Sequence, residues 1–113
     1  MSAKKPRSRA HMSVPERQAR SALARLVTQR GLLRGNLLER RRVCGKPNCR
    51  CLRGELHASL YLVFSEGGKL RQFCVPRAWE ARVRQWGADY HEARRLLEQI
   101  SRLYFEKVRQ RQD

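Results

Sequence analysis

Ser59-Leu60-Tyr61-Leu62-Val63-Phe64-Ser65-Glu66-Gly67-Gly68-Lys69-Leu70-Arg71-Gln72-Phe73-Cys74-Val75 reads as two apolar runs joined by a turn. Residues 59–64 and 70–75 are rich in aromatic and aliphatic side chains, which suit a pleated surface. Glu66-Gly67-Gly68-Lys69 between them suits a hairpin, because glycine accepts the positive φ that a tight turn requires. Leu60, Leu62 and Phe64 fall on one face of the first strand, with Tyr61 and Val63 on the other.

Upstream of the hairpin, residues 35–43 read as a strand that runs into a cysteine-rich loop. Before it, Ser13-Val14-Pro15-Glu16 is a helix start: Ser13 caps, Pro15 sits in the first turn and Glu16 completes a capping box. Ala19, Ala22, Leu23, Leu26 and Val27 then recur at helical spacing, and Gly31 is placed to stop the helix. Downstream, Pro76 opens a helical segment in which Trp86, Tyr90, Ala93, Leu97, Ile100 and Tyr104 follow at alternating steps of four and three. That is a heptad-like seam, widened by Leu96 and Leu103. Gly87 weakens its first part, and Asp89 with Glu92 can recap a second helix there.

The expected fold is therefore α+β. A disordered basic tail over 1–12 precedes a single small domain over 13–113. That domain holds an N-terminal helix (13–30), a zinc loop with a β-hairpin in a small antiparallel sheet (35–76), and a long C-terminal helical segment (77–111).

Cys44-Gly45-Lys46-Pro47-Asn48-Cys49-Arg50-Cys51 places three thiols in a cationic, turn-rich loop, and His57 follows. Such a loop is poor core material and good ligand material, since Zn2+ prefers thiolate and imidazole converging from a short segment. The Gly-Lys-Pro-Asn insert is a natural turn that folds Cys44 back toward Cys49 and Cys51, and Gly54 permits a second reversal before His57. Lys46, Arg50 and Arg42 favour thiolate over thiol. Cys44, Cys49, Cys51 and His57 thus form a candidate Cys3His set for a structural zinc. Cys74 competes as fourth ligand but ranks below His57, because a strand cysteine needs no metal. Disulfides are the weaker reading: Cys49 and Cys51 are too close to pair with each other.

In 113 residues there is room for only a small core, which profits from a staple of this kind. Lys and Arg number 26 against 10 Asp and Glu, for a formal charge of +16. A polyanion is the partner that makes such self-repulsion tolerable, and nucleic acid is the first choice. No stretch approaches the run of ~20 apolar residues a membrane span requires. The basic N-terminus has no apolar run behind it, so no secretory signal is expected. A reducing cytoplasm, or a nucleoid, is the expected compartment, and there clustered cysteines bind metal more often than they pair.

Arg34-Gly35-Asn36-Leu37-Leu38-Glu39-Arg40, the cysteine block, Gly54-Glu55-Leu56-His57 and Tyr61 together resemble an uncharacterised family of small bacterial proteins, a domain of unknown function. Its core pattern is C-G-K-P-x-C-x-C followed by G-x-x-H, and the likeness covers about residues 31–105. Cys44, Cys49, Cys51 and His57 match that pattern, whereas Cys74 stands where the family usually has another residue. The resemblance supports the ligand set and implies no activity.

Arg17, Arg20, Arg25, Arg40, Arg41, Arg42, Lys46, Arg50 and Arg53 concentrate charge in the N-terminal half, while residues 77–113 mix both signs. The expected function is nucleic-acid binding, to DNA or RNA, mainly through phosphate contacts. The alternative is a zinc-stapled adaptor that assembles with a protein partner or a second copy through residues 86–104. Neither reading includes a membrane. No enzymatic activity is expected: C-x-x-C is absent, only Glu39 and Glu55 lie near the cysteines as bases, and four-ligand zinc leaves no place for a reactive water.

Overall fold

The computed structural model describes residues 12–42 and 57–111. Its elements are α1 (Val14–Gln29), β1 (Asn36–Arg42), β2 (His57–Glu66), β3 (Lys69–Cys74), a short 3-10 turn (Arg77–Trp79) and α2 (Glu80–Gln110). The chain divides into two compact units, one of Leu32–Tyr90 and one of Met1–Gly31 with His91–Asp113. The first turns of α2 belong to the former and the remainder to the latter.

In the sheet unit the three strands run antiparallel in the order β1-β2-β3. Glu66 pairs with Lys69 across the turn, and Gly67 (φ 58°) and Gly68 (φ 80°) both take the left-handed conformation that the sequence demanded of them. The period-2 pattern of β2 then decides which face is covered. Leu60 and Leu62 are buried and pack with Val75 and Val83, joined by Leu33, Leu37, Phe64 and Trp86. Leu60 is 2% exposed, so its burial contributes about 1.5–3 kcal/mol. Gly35 enters β1 at φ 134°, where a Cβ would lie 2.9 Å from the Val63 carbonyl oxygen. Only glycine fits that approach.

α2 is one continuous helix, with no break at Gly87 or Asp89. Gly87 is buried, and a Cβ placed there would meet the Leu37 side chain at 3.8 Å. The helix runs through this weak position with the Leu37 side chain of β1 in ordinary contact beside it. Asp89, which with Glu92 could have capped a second helix, instead lies buried within the helix and accepts a hydrogen bond from Gln85 at 3.0 Å.

In the helical unit, α1 begins as its sequence requires: the Glu16 N–H donates to Ser13 Oγ at 3.2 Å. Its end differs from expectation. Arg30, not a left-handed Gly31, closes the helix in an extended conformation, its N–H donating to the Leu26 carbonyl. Ala19 packs with Leu96 and Ile100 of α2, flanked by Leu23 and Leu26. The buried row of α2 therefore runs through Leu96, at 5% exposure, and not through Leu97, at 58%. Adjacent helical positions lie about 100° apart, so the seam turns away from the expected one at that point.

The sheet's outward face as candidate nucleic-acid interface

β-register fixes what the sheet shows on the side away from Leu60 and Leu62. Leu38, Tyr61 and Cys74 form one cross-strand row, and Asn36, Val63 and Gln72 form the next. Arg40 with Ser59 and Arg42 with His57 extend this face toward one end, and Ser65 with Leu70 toward the other. No Asp or Glu occupies any of these positions; Glu39 and Glu66 fall on the opposite parity. An acid-free face in a chain of charge +16 attracts anions without local competition.

At its centre the Arg40 guanidinium lies 4.9 Å from the Tyr61 ring centroid. Its Nη2 donates to Gln72 Oε1 on β3 at 2.9 Å. Both partners are neutral, and among the described residues no carboxylate forms an ion pair with Arg40. Among the described residues the cation is thus positioned without being neutralised. Two more arginine–aromatic pairs belong to this unit. Arg34 stands 5.9 Å from the Phe64 centroid and donates to the Ser65 carbonyl at 2.6 Å, while Arg82 stands 4.3 Å from Trp79. Phe73 stacks on Phe64 at 5.5 Å and is 60% exposed.

The remaining basic residues have different surroundings. Arg17 and Arg25 line a groove of about 450 Å³ along α1 with Gln18 and Ser21, and Arg17 Nε is buried without a hydrogen-bond partner among the described residues. Arg20 is engaged inside its own unit: its Nε donates to Glu16 Oε2 at 2.7 Å and its Nη2 to the Tyr104 hydroxyl at 3.2 Å. Those hydrogen bonds, Glu16's first, raise its affinity for its proton. Arg41 sits on the inward parity of β1 but is exposed near the sheet's end. Lys46, Arg50 and Arg53 lie outside the described residues, and of Arg42 only the backbone is described.

The candidate metal ligands Cys44, Cys49 and Cys51 also lie outside the described residues, and His57 is described only by its backbone. That backbone carries information. His57 pairs with Arg42, so the chain that passes out of the described residues after Arg42 re-enters them at the neighbouring position on β2. Cys74 pairs with Tyr61, four residues along β2 from His57, which is about 13 Å of strand. It is exposed and forms no disulfide. Among the described residues no three His, Cys, Asp or Glu side chains gather as a metal site. Glu39 lines a small groove with Arg77, Glu80 and Arg84 on the other side of the sheet.

Sequence reading passes over Arg34, Gln72, Trp79 and Arg82. The Gly67-Gly68 turn holds the signal for one of them: pairing Glu66 with Lys69 sets Gln72 beside Val63, on Tyr61's face.

Residues 14–85 match the family described as "Domain of unknown function (DUF6788)", and the chain belongs to it. The match includes α1, the sheet and the first turns of α2. No curated protein and no solved structure matches the chain. No helix among the described residues is long and apolar enough to cross a membrane.

Proposed function

We propose that this DUF6788 protein binds nucleic acid, mainly through phosphate contacts, from a small fold stapled by a structural zinc. The observation that carries this reading is the outward sheet face, which holds Arg40 and no acidic residue in any register position. Arg17 and Arg25, which share the α1 groove, supply a second basic surface. Phosphate contacts release counterions, so affinity should fall steeply with salt. Binding of a labelled oligonucleotide measured from 50 to 200 mM salt tests this (on the order of tenfold or more lost for several contacts). Affinity that is absent, or indifferent to salt, overturns it.

For zinc, the residues are Cys44, Cys49, Cys51 and His57. Three thiolates and an imidazole are the donor set zinc prefers in closed structural sites, and bound metal supplies folding free energy. The Arg42–His57 pairing supports convergence by bringing both ends of the loop to one end of the sheet. The distance along β2 separates Cys74 from that end. A reducing cytoplasm suits such a site. An arrangement closed in this way offers no open position for hydrolysis, so the reading is of a binding protein and not an enzyme.

A second reading, assembly through the C-terminal helix, has its own support. Leu97, Phe105 and Val108 are 58%, 57% and 74% exposed and lie along one flank of α2, beside Tyr104. This flank keeps Leu97 and Tyr104 of the Trp86-to-Tyr104 seam but not Ala93 and Ile100, which are already covered within the chain. Sedimentation across a concentration range separates a monomer from an assembly formed here.

A further inference from the structure

We propose that the outward face of the sheet is a stacking platform for unpaired bases, so that the nucleic acid bound there is single-stranded RNA or DNA. This rests on the nucleic-acid reading above and narrows it. Tyr61 lies on β2, the central strand, with Leu38 of β1 on one side and Cys74 of β3 on the other. Leu38 is 44% exposed, and Val63 follows on the same face, so the ground around the ring is apolar. Arg40 reaches across β2 from β1, lies over the Tyr61 ring and is tethered by Gln72 on β3. The result is a half-buried aromatic ring with a guanidinium over it at 4.9 Å, a cation with no ion pair among the described residues, on a surface of mixed apolar and neutral polar side chains.

A nucleotide presents the complement of that pair: a flat π-face and a phosphate anion. Bases stack on aromatic rings and on guanidinium planes alike, and every base has such a face. In a duplex those faces are occupied by neighbouring bases, and only edges and phosphates remain for a protein to touch. A ligand that uses Tyr61 together with Arg40 therefore has splayed, unpaired bases. An acidic peptide would satisfy Arg40 but not the ring.

The test is fluorescence anisotropy on the full chain, at about 50 mM and again at about 200 mM salt. The probes are labelled U12, dT12 and a 12-bp DNA duplex, each bound by wild type, Tyr61→Leu and Tyr61→Phe. The proposal expects both single strands to bind more tightly than the duplex. Tyr61→Leu, which keeps apolar bulk, should weaken single-strand binding about 5- to 150-fold, as loss of one stacked base does. Tyr61→Phe should retain it, and duplex binding should hardly change in either variant. Cys74, exposed in the same cross-strand row as Tyr61, gives a reading that needs no variant: bound U12 or dT12 should slow its alkylation, followed by peptide mass spectrometry. Salt-dependent binding that ignores Tyr61→Leu and leaves Cys74 alkylation unchanged overturns the platform and leaves phosphate binding standing. Failure of all three probes to bind at low salt overturns both.

Discussion

The Tyr104 hydroxyl donates to the Glu16 carboxylate at 2.8 Å, joining residues 88 positions apart inside the helical unit. Glu16 is 1% exposed, and the same oxygen also accepts from Arg20 Nε. A buried carboxylate costs several kcal/mol unless it is paired and hydrogen-bonded, and here both conditions are met. Burial pushes the Glu16 carboxyl up, but the hydrogen bonds from Arg20 and Tyr104 and the charges of Arg20 and Lys107 outweigh it and hold the group below its ordinary value.

Glu16→Gln should therefore destabilise the fold by about 1.5–3 kcal/mol at neutral pH, the worth of hydrogen bonds to a charged group. The advantage of the wild type should depend on acid. Because the folded carboxyl titrates below its ordinary 4.5, its contribution is complete above that value and is lost as the pH falls through the lower folded one. Urea unfolding of both proteins at several pH values checks this: the two stability curves should converge on the acid side. A gap that persists at all pH values would show that the charge is not what Glu16 contributes.

Two glycines should respond to alanine in opposite directions. At Gly87 a Cβ makes ordinary contact with Leu37 at 3.8 Å, so Gly87→Ala gains helix propensity without a clash and should stabilise by about 0.5–1 kcal/mol. Gly35→Ala forces a side chain to φ 134° with its Cβ 2.9 Å from the Val63 carbonyl oxygen, and should cost about 1–3 kcal/mol. Denaturation midpoints distinguish the two at once. A Gly87→Ala protein less stable than wild type would mean that the strand cannot yield even the room a methyl needs.

Metal removal has a graded expected outcome. Cys44→Ser or Cys49→Ser should release zinc and lower the melting temperature, since binding free energy in such sites is folding free energy. The antiparallel signature in circular dichroism should survive, because β1 and β2 pair over seven positions of their own. Elemental analysis of protein purified without a nickel column is the direct measurement. Near-zero zinc in a stable wild-type chain would remove the staple from the proposal.

Assembly through the exposed flank of α2 predicts a clean separation of effects. Phe105→Lys, at a position 57% exposed, should abolish concentration-dependent association in sedimentation while changing stability by no more than about 0.5 kcal/mol. A wild-type chain that stays monomeric at high concentration rules out the second copy as the occupant.

What was legible in the sequence was what local chemistry decides. The Ser13 cap, the Gly67-Gly68 turn and the alternation of β2 each state their structure within a few residues. Where a distant partner decides, local patterns mislead. Gly87 looked like a break because Leu37 was not in view, and Leu97 fitted the heptad as well as Leu96 did until α1 took one side of the helix. Glu16 read as half of a capping box, and nothing near it announced Tyr104. The candidate site divides in the same way. Tyr61 and Gln72 follow from one turn, but Arg40 joins them only through the β1 register, which is set across residues 43–56.

The pairing of Arg42 with His57 also makes those residues an excursion whose two ends the ladder already holds about 5 Å apart. Lengthening a tethered excursion is inexpensive, about 0.6 kcal/mol for each doubling. The sheet should then tolerate insertions within it, and so would Tyr61 and Arg40, whereas any change in the spacing of Cys44, Cys49 and Cys51 reassigns which thiols can meet. Loop-length variants thus offer a genetic means of uncoupling the proposed zinc staple from the proposed binding face.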